Sequence, residues 1–251
     1  MKKLLAASAA ALAYCGASAL AADMPVKMPV KAVPSAPVVN WTGCYVGGNI
    51  GGGWSRNQFT DEQGALTGLD EGSHTATGWV GGGQIGCDNQ VSNNWVIGVR
   101  GMWDWADVTG SNVSAIVPPN TLHSDIRSFA SLTGQLGYLL NPTTKLYGMA
   151  GIGWADNKWS CPAVAGGTCP PGEVSKGTRS GLDLGVGVAW MIAPHWDLFV
   201  EYDHMWLGHK IVTFSNGAFS FPEGIKQDFN KVVVGIDYRF DWGKSPVVAK
   251  Y

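Results

Sequence analysis

The sequence predicts an all-β protein, an eight-stranded antiparallel up-and-down transmembrane β-barrel. Three observations lead there. An export signal opens a chain that contains no long apolar run. Eight later segments alternate with a period of two. The connections between those segments alternate short and long.

The first observation lies at the N-terminus. Lys2 and Lys3 precede an apolar stretch from Leu4 to about Leu12, and small residues follow to Ala19-Leu20-Ala21-Ala22. A charged start, a short apolar region and an Ala-x-Ala-like exit mark a secretory signal that is removed. Residues 1–22 are read as that signal, with cleavage after Ala21 or Ala22. Lipidation at Cys15 is the competing reading; the bulky Tyr14 before it argues against it. No later stretch reaches the ~18 consecutive apolar residues of a spanning helix. Residues 23–40 are Pro-rich, with a repeated Met-Pro-Val-Lys. Such a segment builds no packed core and is expected to be an extended periplasmic leader.

Composition narrows the class further. Glycine accounts for 35 of 251 residues and charged residues for only 14%, against about 7% and about 25% in ordinary soluble domains. Without Lys2 and Lys3 the chain has 15 Lys and Arg against 19 Asp and Glu. That balance gives no basic footprint for nucleic acid.

From Trp41 onward the pattern alternates every second residue. Eight segments follow, at about 41–54, 77–88, 94–106, 124–139, 144–157, 178–192, 196–209 and 227–240. Each is long enough for a tilted membrane strand of ~9–11 residues. Short links fall at Asn89–Asn93, at Asn141-Pro142-Thr143 and at Ala193-Pro194-His195. The other connections are expected to be long loops, at 55–76, 107–123, 158–177 and 210–226. Short turns on one side and long loops on the other are the outer-membrane arrangement.

The faces decide the solvent. Val232, Val234, Ile236, Tyr238 and Phe240 share one side of the last segment, and Lys231, Val233, Gly235, Asp237 and Arg239 share the other. Aromatics collect at both ends of the apolar faces. Trp95, Trp190, Trp196, Tyr238 and Phe240 fall at one level, and Trp54, Trp79, Trp103, Trp105, Trp154 and Trp206 at the opposite one. Two girdles around an apolar band place the strands between two membrane interfaces, with small and charged residues inside. The cellular address is therefore the outer membrane of a Gram-negative bacterium, and the surrounding partners are its lipid and lipopolysaccharide.

The inward set is read as Arg100, Asp104, Arg127, Asp183, Glu201, Asp203, Lys231, Asp237 and Arg239. An eight-stranded barrel is just wide enough for its side chains to fill. Charges there are expected to pair into a plug; a narrow porin-like channel is the alternative. The histidines are scattered: His74 and His123 fall in expected loops, His195 in a short turn, His204 on the lipid face and His209 at a strand end. No Ser/His/acid trio shares a face, no metal spacing is visible, and no cofactor is called for. The chain is read as no enzyme.

After the signal, Cys44, Cys87, Cys161 and Cys169 remain, an even number in an oxidising compartment. Cys161 and Cys169 bracket a short Gly- and Pro-containing stretch, and a bridge there restricts a surface lobe by roughly 2–3 kcal/mol in the chain-entropy model. Cys44 and Cys87 sit at the same end of neighbouring strands, where a cross-strand bridge competes with free thiols. Trp159 and the lobe are candidates for recognition by an adhesin or ligand binder.

The segments Trp41-Thr42-Gly43-Cys44-Tyr45-Val46-Gly47-Gly48-Asn49-Ile50-Gly51 and Gly78-Trp79-Val80-Gly81-Gly82-Gly83-Gln84-Ile85-Gly86 resemble the first two strands of the outer-membrane immunogenic protein family of alphaproteobacteria. These are small OmpA-like β-barrel surface antigens. Val234-Gly235-Ile236-Asp237-Tyr238-Arg239-Phe240 is similar to the family's closing strand. Cys44 and Cys87 stand where relatives often carry aromatics, and residues 241–251 run past the usual terminal aromatic. The resemblance implies a structural surface antigen, without activity, cofactor or site residues. Gly235, Tyr238 and Phe240 also match the signal read by the outer-membrane assembly machinery, which pairs with an exposed strand edge.

Overall fold

The computed structural model describes residues 39–62, 67–115, 119–162, 165, 173–215 and 220–240. The signal, all but the last two residues of the leader, the extension at 241–251 and Cys169 lie outside the described residues.

Eight strands follow one another: β1 (Gly43–Asp61), β2 (Asp70–Gln90), β3 (Trp95–Val113), β4 (Thr121–Asn141), β5 (Thr144–Cys161), β6 (Glu173–Ala193), β7 (Trp196–Ser215) and β8 (Ser220–Phe240). Each pairs antiparallel with the next, and β1 pairs with β8 to close the ring. Closure leaves no strand edge unpaired, which a bilayer demands because it offers no water to free backbone groups.

Alternation sorts the side chains as expected. Val46, Ile50, Ile97, Val99, Leu132, Leu136, Ile152, Val186, Val234 and Ile236 are exposed on the outer wall, while Arg100, Asp104, Asp183, Glu201, Asp203, Lys231, Asp237 and Arg239 are buried inside. The tryptophans of both girdles are likewise outward. From Trp196 to Trp206 β7 crosses one girdle to the other in eleven residues, matching a tilted membrane strand.

The short links at one end agree with the sequence to within two residues. The β6–β7 turn is the tightest. Pro194 leads it, and His195 takes a positive φ of 70°, the shape of a type II turn in which the residue after proline goes left-handed.

The opposite end departs from expectation. The strands run 18 to 21 residues and continue beyond the outer girdle. The connections at 62–69, 114–120, 162–172 and 216–219 are therefore much shorter than the long loops expected. Backbone pairing goes on past the membrane because the barrel interior still offers a dry core there. Phe59, Leu122, Trp159, Cys161, Val212 and Ile225 form a buried apolar layer above the girdle. Trp159, expected as a loop recognition residue, is 1% exposed inside that layer. His74 and His123 belong to β2 and β4.

Arg127 is also corrected. A bulge between Ile126 and Ser128 inserts a residue into β4. Above it Leu122, Ser124 and Ile126 point inward, and below it Phe129, Ser131 and Thr133 do. Arg127 therefore faces out, 45% exposed, at 3.5 Å from Asp125. Simple alternation cannot register such an insertion.

Candidate functional site

The interior is the site, and it is built in levels. At the inner end Trp41 forms a fully buried floor, its indole Nε1 donating to the Pro142 carbonyl at 3.1 Å. Arg239 Nε pairs with Asp197 at 2.7 Å, and its Nη1 pairs with Asp88 at 3.0 Å. Lys145 reaches the same Asp88 at 2.7 Å. Both cations lie over the Trp41 ring, at 4.7 and 4.8 Å.

At mid-height the network crosses the barrel. Arg100 on β3 holds Glu201 on β7 by two bonds of 2.6 Å, the forked geometry that makes arginine–carboxylate pairs strong. Tyr147 donates its hydroxyl to Glu201 at 2.7 Å. Lys231 on β8 reaches Asp104 on β3 at 2.6 Å and lies 3.4 Å from Asp203 on β7. Asn49 donates to Asp104 and to Gln84, and Gln84 donates to Asp237 at 2.7 Å.

Glycine makes room for this filling. A Cβ on Gly86 meets the Tyr45 ring at 2.5 Å, and one on Gly235 meets Phe199 Cζ and, at 2.6 Å, the Gly48 carbonyl. The tips of both aromatic rings therefore occupy space left by glycines of neighbouring strands. A void of about 10 Å³ is left among Tyr45, Arg100, Gln135, Tyr147, Phe199 and Asp237, about the room one water needs.

Eight of the nine inward charges read from the sequence are buried inside the barrel, Arg127 being the exception; seven of them lie in this network, and neither carboxylate oxygen of Asp183 has a hydrogen-bond partner among the described residues. Asp88, Lys145 and Asp197 were missed. All three keep the inward parity of their strands but stand at the ends, where the pattern gives way to turns. Cys44 and Cys87 face each other in register and form a disulfide. Cys161 is also disulfide-bonded.

The comparisons with known proteins agree with this architecture. The family model described as outer membrane protein beta-barrel domain matches residues 7–240. The chain belongs to the outer-membrane β-barrel protein family. Within that family it is similar to the 31 kDa outer-membrane immunogenic protein of Brucella melitensis, at 32% identity over 96% of this chain and 100% of the relative. The Brucella suis protein of the same name gives the same figures. Solved structures of similar outline include OprG of Pseudomonas aeruginosa, at 12% identity and TM-score 0.45, covering 80% of this chain and 97% of that one. Ail of Yersinia pestis gives 14% identity and TM-score 0.41, covering 79% and 99%. As a member of this family the chain resides in the outer membrane.

Two features of this family member lie above the outer girdle, clear of the bilayer. His74 Nε2 is 2.7 Å from Ser124 Oγ, and its ring stacks on Phe59 at 5.5 Å between centroids. Burial, with His123 adding to it, holds the imidazole below its usual range. The sequence pattern places His74 in a loop and Ser124 at the start of the fourth segment, so it does not bring the pair together. Higher still, at the mouth, Asp61, Glu71 and Glu223 converge from β1, β2 and β8, all buried. Burial and the neighbouring Glu71, Asp61 and Glu62 push the Glu223 carboxyl up to about 8. Burial and Asp61 raise Glu71 as well.

Proposed function

We propose that this protein is a non-catalytic structural barrel and surface antigen of the outer membrane. The observation that carries the reading is the lumen. Buried charges, most of them paired, and aromatic rings pack it from the Trp41 floor to the apolar layer around Trp159, and the void among Tyr45, Arg100 and Tyr147 is only about 10 Å³. The apolar outer wall supports contact with lipid, and the rim of strands above the girdle supports display to the exterior, where lipopolysaccharide is the neighbouring molecule. Similarity to the Brucella immunogenic proteins supports the antigen reading. The match of Gly235, Tyr238 and Phe240 to the assembly signal supports delivery by the outer-membrane assembly machinery.

The Ser124–His74 pair supports no hydrolase. Ser124 is 2% exposed and also accepts a bond from Asn57, while His74 Nδ1 has no partner among the described residues. A triad needs a base oriented by a third group and a nucleophile that substrate can reach.

The test of the channel alternative is conductance of the refolded protein in planar bilayers. No current steps above the lipid baseline are expected, and reproducible steps abolished by blocking the lumen end the plugged reading. An activity-based fluorophosphonate probe is expected to leave Ser124 unlabelled.

A further inference from the structure

The acidic mouth cluster has no counterpart in the lumen network below it. Its three carboxylates come from three strands, and one oxygen of each lies within 4.8 Å of the others. Asp61 is 7%, Glu71 5% and Glu223 3% exposed. The apolar layer of Phe59, Leu122, Trp159 and Ile225 separates them from the polar groups deeper in the barrel. Glu223 Oε2 is buried and has no hydrogen-bond partner among the described residues. The charges acting on Glu223 are all carboxylates, those of Glu71, Asp61 and Glu62.

Buried like charges of this kind call for a cation. We infer that Asp61, Glu71 and Glu223 form a divalent-cation site, of calcium type, at the outer mouth of the barrel. The donor chemistry is all oxygen, which selects hard cations, and calcium holds such ligands at about 2.3–2.6 Å. Two oxygens bound to one such ion on opposite sides stand about 5 Å apart, so the observed spacing admits a single ion without rearrangement of the strands. Glu71 is in addition hydrogen-bonded to Ser114 of the β3–β4 connection, and Asn112 donates to its backbone carbonyl at 3.4 Å. An ion there clamps the closing β1–β8 seam to β2 and stiffens the displayed rim. The acidic residues are spread from position 61 to position 223, so no sequence motif announces them.

The experiment uses the full mature chain refolded in detergent free of lipopolysaccharide and washed with EDTA. Terbium luminescence is titrated, then displaced with calcium. One saturable ion per chain is expected, with an affinity in the range of extracellular calcium modules, about 10⁻⁴–10⁻³ M. Calcium at ten times Kd is expected to raise Tm by about 3–6 °C. E223Q and E71Q, each checked for folding by the heat-modifiable gel shift, are expected to weaken terbium binding at least tenfold. D125N, on the outer wall, is expected to leave it unchanged. Absence of saturable binding to the wild type overturns the inference, as does binding unaltered by both glutamate variants. So does an E223Q protein as heat-stable as calcium-saturated wild type in a background where wild type takes up no ion, because protons alone then quiet the cluster.

Discussion

Lys231 offers the most direct test of how the plug is held together. It is completely buried, with its ammonium 2.6 Å from Asp104, 3.4 Å from Asp203 and 4.4 Å above the Phe129 ring. At an effective dielectric of about 20, the two ion-pair distances correspond to about 6 and about 5 kcal/mol of attraction. Desolvation of the three ions offsets much of this. Removal of the shared cation alone leaves two carboxylates uncompensated in a dry interior, and the net cost of such a break is about 3–5 kcal/mol. Methionine keeps the stem against Phe129, so Lys231→Met isolates the charge. Urea-driven unfolding from vesicles, followed by tryptophan fluorescence and by the heat-modifiable gel shift, is expected to show the midpoint about 1–2 M lower. The double variant K231M/D104L removes a carboxylate together with its cation and is expected to recover part of the loss. A shift below about 1 kcal/mol for K231M, or a double variant weaker than the sum of both singles, refutes the claim that paired charges hold the plug.

Gly235→Ala pushes a methyl against Phe199 and the Gly48 carbonyl, and overpacking of this kind costs about 1–3 kcal/mol. Adding F199L is expected to restore both stability and assembly rate if packing alone requires the glycine; restored stability with assembly still slow points instead to recognition of Gly235 by the assembly machinery. His74 gives the pH dependence. Its folded-state pKa lies below the unfolded value of about 6.5, so its contribution is complete above that pH and is lost as pH falls through it. Ser124 and His123 from β4, Asn57 and Phe59 from β1 and Gly110 from β3 surround the ring. H74Q is expected to flatten the fall in stability below pH 6.5, measured as the difference from wild type so that the opposite trend of Glu223 cancels; an unchanged acid limb counts against it. Joint replacement of Cys44 and Cys87 by serine opens a link across 43 residues, worth up to about 4 kcal/mol in the chain-entropy model. Dithiothreitol is expected to lower the wild-type midpoint by more than that of the double variant, in which the Cys161 bridge is still there to be reduced.

How much of this was legible beforehand differs from level to level. Period-two alternation is local, so Val234 and Lys231 could be assigned to opposite faces from their neighbours alone. The girdle tryptophans and the short turns are equally local, and Cys44 opposite Cys87 needs only one hairpin register. Arg127 shows where this stops: one inserted residue reverses parity, and nothing near Ile126 announces it. The long loops were overestimated for a related reason. Thr, Ser, Asn and Gly above the girdle look like loop residues, yet Phe59, Trp159 and Ile225 meet inside the ring and keep the strands paired.

The chain by itself determined that it is a membrane barrel, how its strands are ordered and, along the unbroken stretches of each strand, which residues face inward, because these depend on spacing along one strand and on pairing between successive ones. Only the closed ring decided who meets whom across the lumen. Arg100 finds Glu201, Lys231 finds Asp104, Ser124 finds His74, and Asp61, Glu71 and Glu223 converge, through distances set by strand tilt and stagger. No local pattern encodes those distances, since they exist only once β8 has closed against β1.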